Sequence, residues 1–173
     1  MWLPDLLRCP NTPRAAWPRR AVLVAALAVA ACGFTPVYGP QGAGQAIFGQ
    51  IATREPRSAD DFAFDRRLTE RLGTLTQTAY QLDYTLRIAS VGQAITPDEV
   101  TTRYSLNGTA AFTLTDTSGS VVTQGQVSSF TSYSATGTPV ATVAAERDAR
   151  NRLARMLADQ VVTRLMAAAP TGP

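Results

Sequence analysis

Tyr80-Gln-Leu-Asp-Tyr-Thr-Leu-Arg-Ile88 alternates without a break. Tyr80, Leu82, Tyr84, Leu86 and Ile88 fall on one side of an extended chain, and Gln81, Asp83, Thr85 and Arg87 on the other. Side chains of a strand alternate between faces, so a period of two over nine residues predicts a strand with one buried and one open face. The same pattern returns over Arg103–Thr115, with Tyr104, Leu106, Ala110, Phe112 and Leu114 inward. Ser105, Asn107, Thr109, Thr113 and Thr115 face outward there. Gly92 to Glu99, containing Pro97, connects the two, and Asp116-Thr117-Ser118-Gly119 has the composition of a turn. A third long strand is expected over Val121–Tyr133, with a bulge near Gly125.

Helices flank this block. Ser58 is placed to cap a helix whose first turn holds Asp60 and Asp61, acids that the positive end of the helix dipole favours. Phe64, Leu68, Leu72 and Leu75 make its apolar stripe, Gly73 is its stop signal, and Arg66, Arg67, Glu70 and Arg71 form its wet face. Thr138-Pro139 opens a second, longer helix with threonine as cap and proline at the first helical position. Its stripe is Leu153, Leu157, Val161 and Leu165, supported by Ala149 and Met156. Glu146–Arg150 and Asp148–Arg152 are ion pairs one turn apart on the outer face. Residues from Ala167 onward are expected to fray. A short, weakly patterned first strand over Gln45–Thr53 completes the order strand, helix, three antiparallel strands, helix. The fold class is α+β: a two-layer sandwich, with two helices on one face of a four-stranded, mostly antiparallel sheet.

Upstream, the chain reads as a processing signal. Arg19 and Arg20 precede the apolar run Ala21–Ala31, and Cys32 follows Val29-Ala30-Ala31. A basic segment, a short apolar segment and small residues before a cleavage point are the parts of a secretory signal. The run is far short of the ~20 residues that cross a bilayer. With cysteine after the small residues, the stretch resembles the lipobox of bacterial lipoproteins, which implies cleavage before Cys32 and covalent lipid, palmitate included, on its thiol. The expected organisation is a removed signal peptide (1–31), the lipidated cysteine and a Gly/Pro-rich tether (32–44), one α+β domain (45–168) and a disordered tail (169–173). Several acyl chains on one cysteine suffice for stable membrane anchoring.

Removing the leader changes the charge. The chain carries a net charge of +3, and Arg8, Arg14, Arg19 and Arg20 against Asp5 account for all of it. The remainder holds 12 Arg against 12 Asp and Glu, so the basic balance is no argument for a nucleic-acid partner. Histidine is absent and Cys32 is the only cysteine after the leader, which removes zinc and Cys/His chemistry and any disulfide within the mature chain. A Ser/His/Asp triad cannot form, and no Gly-x-Ser-x-Gly elbow occurs. No enzyme and no cofactor other than the covalent lipid are expected.

Cys32-Gly-Phe-Thr-Pro-Val-Tyr-Gly39, directly after the lipobox, resembles the start of LPS-assembly lipoproteins of the LptE type, those of alphaproteobacteria in particular. The resemblance continues at Thr102-Arg-Tyr-Ser-Leu106 and Phe130-Thr-Ser-Tyr-Ser134. It is densest over Ala144-Ala-Glu-Arg-Asp-Ala-Arg-Asn-Arg152 and Leu157-Ala-Asp-Gln-Val-Val-Thr-Arg-Leu165. It implies a lipid-anchored outer-membrane lipoprotein that sits in the lumen of the LPS-translocon β-barrel, helps that barrel assemble and takes part in lipopolysaccharide transport to the outer leaflet. It also implies two helices on a four-stranded sheet, as periodicity does. Gly33 in place of aspartate fits outer-membrane sorting. In enterobacterial members a basic residue in the loop between the second and third strands is implicated in LPS contact. Here that loop reads Thr96-Pro97-Asp98-Glu99 and is acidic. Arg87 and Arg103 are the alternative candidates for contact with lipid A phosphates, because a guanidinium fork matches phosphate geometry. A cross-strand ion pair or a solvated arginine is the other reading of each. For the protein as a whole, the alternative is an auxiliary lipoprotein of an ABC-type lipid or solute transporter.

Overall fold

The structure, a computed structural model, describes residues 47–95 and 101–168. The leader, Cys32, the tether, the Thr96–Glu99 loop and the tail from residue 169 lie outside the described residues. The elements run β1 (Ile51–Thr53), α1 (Ala59–Leu72), β2 (Tyr80–Ile95), β3 (Thr101–Asp116), β4 (Val121–Ser134) and α2 (Pro139–Ala168). The four strands lie in sequence order, β1 parallel to β2 and the other pairs antiparallel. This is the expected α+β sandwich, its sheet open at both edges.

Alternation decides which side is dry. Leu82, Tyr84, Leu106, Ala110, Phe112, Leu114 and Val127 are buried beneath the helices. Both helices cover this one face, α1 with Phe64, Leu68 and Leu72, and α2 with a stripe wider than a single column. Leu153, Leu157, Val161 and Leu165 are buried as the spacing predicts, and so are Ala154, Ala158, Val162 and Met166. A helix that meets a sheet and a second helix together needs that extra width. Gly108 sets the depth of the contact. A Cβ there would come within 2.9 Å of Leu157 Cδ1 and 3.0 Å of Leu153 Cδ2, so α2 rests almost directly on the β3 backbone.

The caps are those the sequence names. Ser58 Oγ accepts from the Asp61 amide at 3.1 Å, and Thr138 Oγ1 from the Ala141 amide at 3.3 Å. At the end of α1, Gly73 takes φ 83° and its amide donates to Thr69 O at 2.9 Å. That left-handed residue breaks the helical phase, and Leu75, counted in the α1 stripe, is instead 52% exposed.

Five further expectations are corrected. Among the described residues, β1 is confined to Ile51–Thr53. Ile47–Gln50 is a turn, because Gly49 sits at φ 69° and ties the α1–β2 connection together. Its amide donates to Leu72 O at 2.7 Å and its carbonyl accepts from the Thr76 amide at 2.8 Å. No bulge occurs at Gly125, which pairs in register with Phe112, and the register shift lies nearer the turn, opposite Leu114/Thr115. A Cβ at Gly125 would stand 3.3 Å from the Phe112 ring, so the glycine admits that ring rather than bending the strand. Met156 is not a core residue; it is 36% exposed and accepts from Ser129 Oγ at 3.9 Å, along the β4 side of α2. Finally, α2 continues through Ala167 and Ala168, and β2 and β3 extend each other past Gly92.

Candidate functional site

The helices leave the second face of the sheet uncovered. Alternate residues of β2, β3 and β4 line it: Gln81, Asp83, Thr85 and Arg87, then Arg103, Ser105, Asn107 and Thr109, then Gln124, Gln126, Ser128 and Phe130. Asp83, Arg87 and Arg103 are its charged side chains along the paired strands. All three are exposed.

Arg87 stands opposite Thr109, whereas Arg103 lies six positions back along β3, opposite Ser134 on β4. At about 3.3 Å per residue this places the two some 20 Å apart along the strands. They share a face and not a site. Among the described residues neither makes an ion pair, which leaves both guanidinium groups available to an anion. Cys32, the lipidation site, lies outside the described residues.

The β1 end of the face carries a feature that periodicity does not reveal. Arg54 leaves β1, lays its guanidinium 4.1 Å from the centre of the Tyr84 ring and donates from Nε to Tyr84 O at 2.7 Å. Its Nη2 reaches Asp61 Oδ2 at 3.2 Å. Asp61, buried at the first turn of α1, also accepts from the Arg57 amide at 3.1 Å. Arg54 is thereby a structural clamp between sheet and helix, while the Arg57 side chain is exposed. Together with Asp83, Thr85, Thr113 and Gln124 the two arginines edge an open concavity of about 850 Å3. Loop residues have no repeat to betray them; an Arg-x-x-Arg flanking Pro56 before a helix cap is the only signal.

Tyr84 itself is buried, packed against Phe64 with ring centres 4.7 Å apart. Among the described residues its hydroxyl has no partner, and neither has the buried Oδ1 of Asp65. Burial, reinforced by the nearby Asp65 charge, pushes the phenol up to about 12. No group of three or more metal-ligating side chains occurs among the described residues. Nor is any described helix long and apolar enough to cross a membrane.

The profile of the LptE lipopolysaccharide-assembly family matches residues 48–165. The chain belongs to the LptE family. The match takes in the whole sheet and all but the last turn of α2. Solved structures with the LptE-family chain's fold include a candidate lipoprotein of Caulobacter crescentus, with TM-score 0.59 and 21% identity over 72% of this chain and 93% of that one. Rare lipoprotein B of Shewanella oneidensis aligns with TM-score 0.54 and 11% identity over 68% of this chain and 92% of the other. A minor lipoprotein of Acinetobacter baumannii aligns with TM-score 0.53 and 18% identity over 73% and 98%. At these identities the likeness is one of fold. No curated protein matches the LptE-family chain.

Proposed function

We propose that this LptE-family chain is a non-enzymatic outer-membrane lipoprotein, anchored by lipid on Cys32, that works with the β-barrel of the LPS translocon. It sits in the barrel lumen, assists assembly of the barrel and takes part in moving lipopolysaccharide to the outer leaflet. The observation that carries the reading is the family match over residues 48–165, which spans both layers of the sandwich rather than one motif. The uncovered sheet face agrees with it: a surface of Thr, Ser, Asn and Gln suits the polar interior of a large barrel. Arg87 and Arg103, with Arg57 beside the concavity, are the groups proposed to meet lipid A phosphates.

The test is affinity isolation of the lipidated protein from detergent-solubilised membranes. Co-isolation of one large outer-membrane barrel protein in fixed ratio is the expected result. A monomer that brings down no barrel, or that brings down an inner-membrane transporter subunit instead, overturns the reading.

A further inference from the structure

The sheet ends on one side in β1, three residues long, and on the other in β4, fourteen residues long. Natural proteins protect long edges with charge, proline or a bulge, because a row of unpaired backbone groups invites another strand. Val121–Ser134 contains no charged residue and no proline, and its one register shift lies at the turn end. The hydrogen-bonding direction of each β4 residue follows from one bond. Ala135 N–H donates to Thr102 O at 2.9 Å, so these two opposed residues form a bonded pair. Bonded and non-bonded pairs alternate along an antiparallel ladder. Through the register Tyr104↔Tyr133 and Ala110↔Val127, odd-numbered β4 residues therefore bond β3. The N–H and C=O groups of Gln126, Ser128, Phe130 and Ser132 point out of the sheet.

Along this edge, reaching from Phe130 and Thr131 of β4 to α2, lies an open groove of about 440 Å3 also lined by Arg67, Arg152, Arg155, Met156 and Asp159. Asp159 is already held by Arg67 and Arg71, and Arg152 by Asp148. Among the described residues Arg155 has no carboxylate partner; its Nε donates to Asn151 O at 3.3 Å. Phe130 is 73% exposed on the opposite side of the strand. An incoming strand would turn alternate side chains toward the arginines and toward Phe130.

We infer that β4 is a docking edge for an extended segment of another protein, one that alternates acidic with apolar residues. Its backbone continues the sheet at Gln126–Ser132, its acids face Arg152 and Arg155, and its apolar residues cover Phe130. A second copy of this chain fits poorly. Two β4 edges joined antiparallel about a two-fold axis put both α2 helices on one side, with Arg152 and Arg155 of each copy facing their equivalents across the seam. The inference stands apart from the translocon reading, since it concerns the chemistry of the edge alone.

The experiment follows amide hydrogen exchange in the full-length protein in detergent. The probe is a capped octapeptide alternating valine and glutamate. Saturating peptide is expected to slow exchange about tenfold or more at Gln126, Ser128, Phe130 and Ser132, with little change at Val127, Ser129 and Thr131, which are already bonded. Ser128→Pro removes one outward N–H and leaves the β3 ladder intact, so it should weaken binding about tenfold while the protein stays folded. A peptide N-methylated at every second residue makes the same test without altering the protein. Arg152→Glu with Arg155→Glu should reverse the preference to a valine/lysine peptide. No slowing at the four edge amides overturns the inference. So does equal slowing by the lysine peptide, or slowing without peptide in a dimer.

Discussion

Arg67 and Asp159 fasten α1 to α2 through two parallel contacts, Nε to Oδ1 at 3.0 Å and Nη2 to Oδ2 at 3.2 Å. Arg71 reaches the same carboxylate at 3.1 Å, and toward the start of both helices Arg150 reaches Asp60 at 3.1 Å. The two latches fix the helices as parallel neighbours and set their register. Each is partly exposed, so screening by water keeps its contribution to stability small. Hydrogen bonding to Asp159 is also the main reason the Arg67 guanidinium holds its proton more tightly than usual. Asp159→Asn leaves Arg67 and Arg71 facing each other without their shared counter-charge. It is expected to destabilise more than Arg67→Gln does, and to couple with it in a double-mutant cycle. Urea unfolding of the two singles and the double measures this; strict additivity would show that the contact does not operate in solution.

Gly108 should accept a methyl group at modest cost and nothing larger. The nearest atoms to an added Cβ are the tips of Leu157 and Leu153, which can turn aside, so Gly108→Ala is expected to cost about 1 kcal/mol. Gly108→Leu drives a branched chain into the β3–α2 contact and should cost about 3 kcal/mol or prevent folding. Thermal unfolding of both variants tests the ranking, and an undisturbed Gly108→Leu would contradict the packing described.

Tyr84 predicts a pH response. Its folded-state value, about 12, lies above the ordinary 10.0 because burial disfavours the phenolate. A raised value means that the fold favours the protonated form. That contribution is complete below about 10 and is lost as pH climbs through about 12. Tyr84→Phe deletes a hydroxyl that has no partner and keeps the contact with Phe64. At neutral pH it should be neutral or mildly stabilising. In alkali the variant should lose less stability than the parent, and parallel curves from pH 9 to pH 12 would refute the assignment.

How much of this was legible follows from where the physics is local. Strict alternation through Leu82 and Tyr84, and again through Leu106 and Phe112, names the buried face before any partner is known, because a slip of one residue would invert it. Ser58, Gly73 and Thr138 act within one turn of helix, so their caps are readable. Met156 and Leu75 went astray for different reasons. Leu75 keeps the helical spacing but lies beyond the left-handed Gly73, and Met156 keeps it on a helix whose neighbours decide which flank is covered. The role of Arg54 is not readable from the Arg-x-x-Arg that contains it. Its value lies in reaching Tyr84, thirty residues on, and no local pattern encodes that contact.

Arg87 and Arg103 lead to a prediction about lipopolysaccharide that geometry makes sharp. About 20 Å along the strands is beyond the Debye length of roughly 8 Å at physiological salt, so the two guanidinium groups act as separate charges. If each meets a phosphate, Arg87→Ala and Arg103→Ala should each weaken binding of purified lipopolysaccharide several-fold. The double variant should show the product of the two effects, since distant sites add in free energy. Both effects should shrink as salt is raised and vanish with dephosphorylated lipopolysaccharide. Folding should be untouched, because both side chains are exposed. A double variant no weaker than either single would mean one site rather than two. Unchanged binding in all three variants would leave these arginines as solvated residues of the sheet and shift attention to Arg57, whose side chain is exposed beside the 850 Å3 concavity.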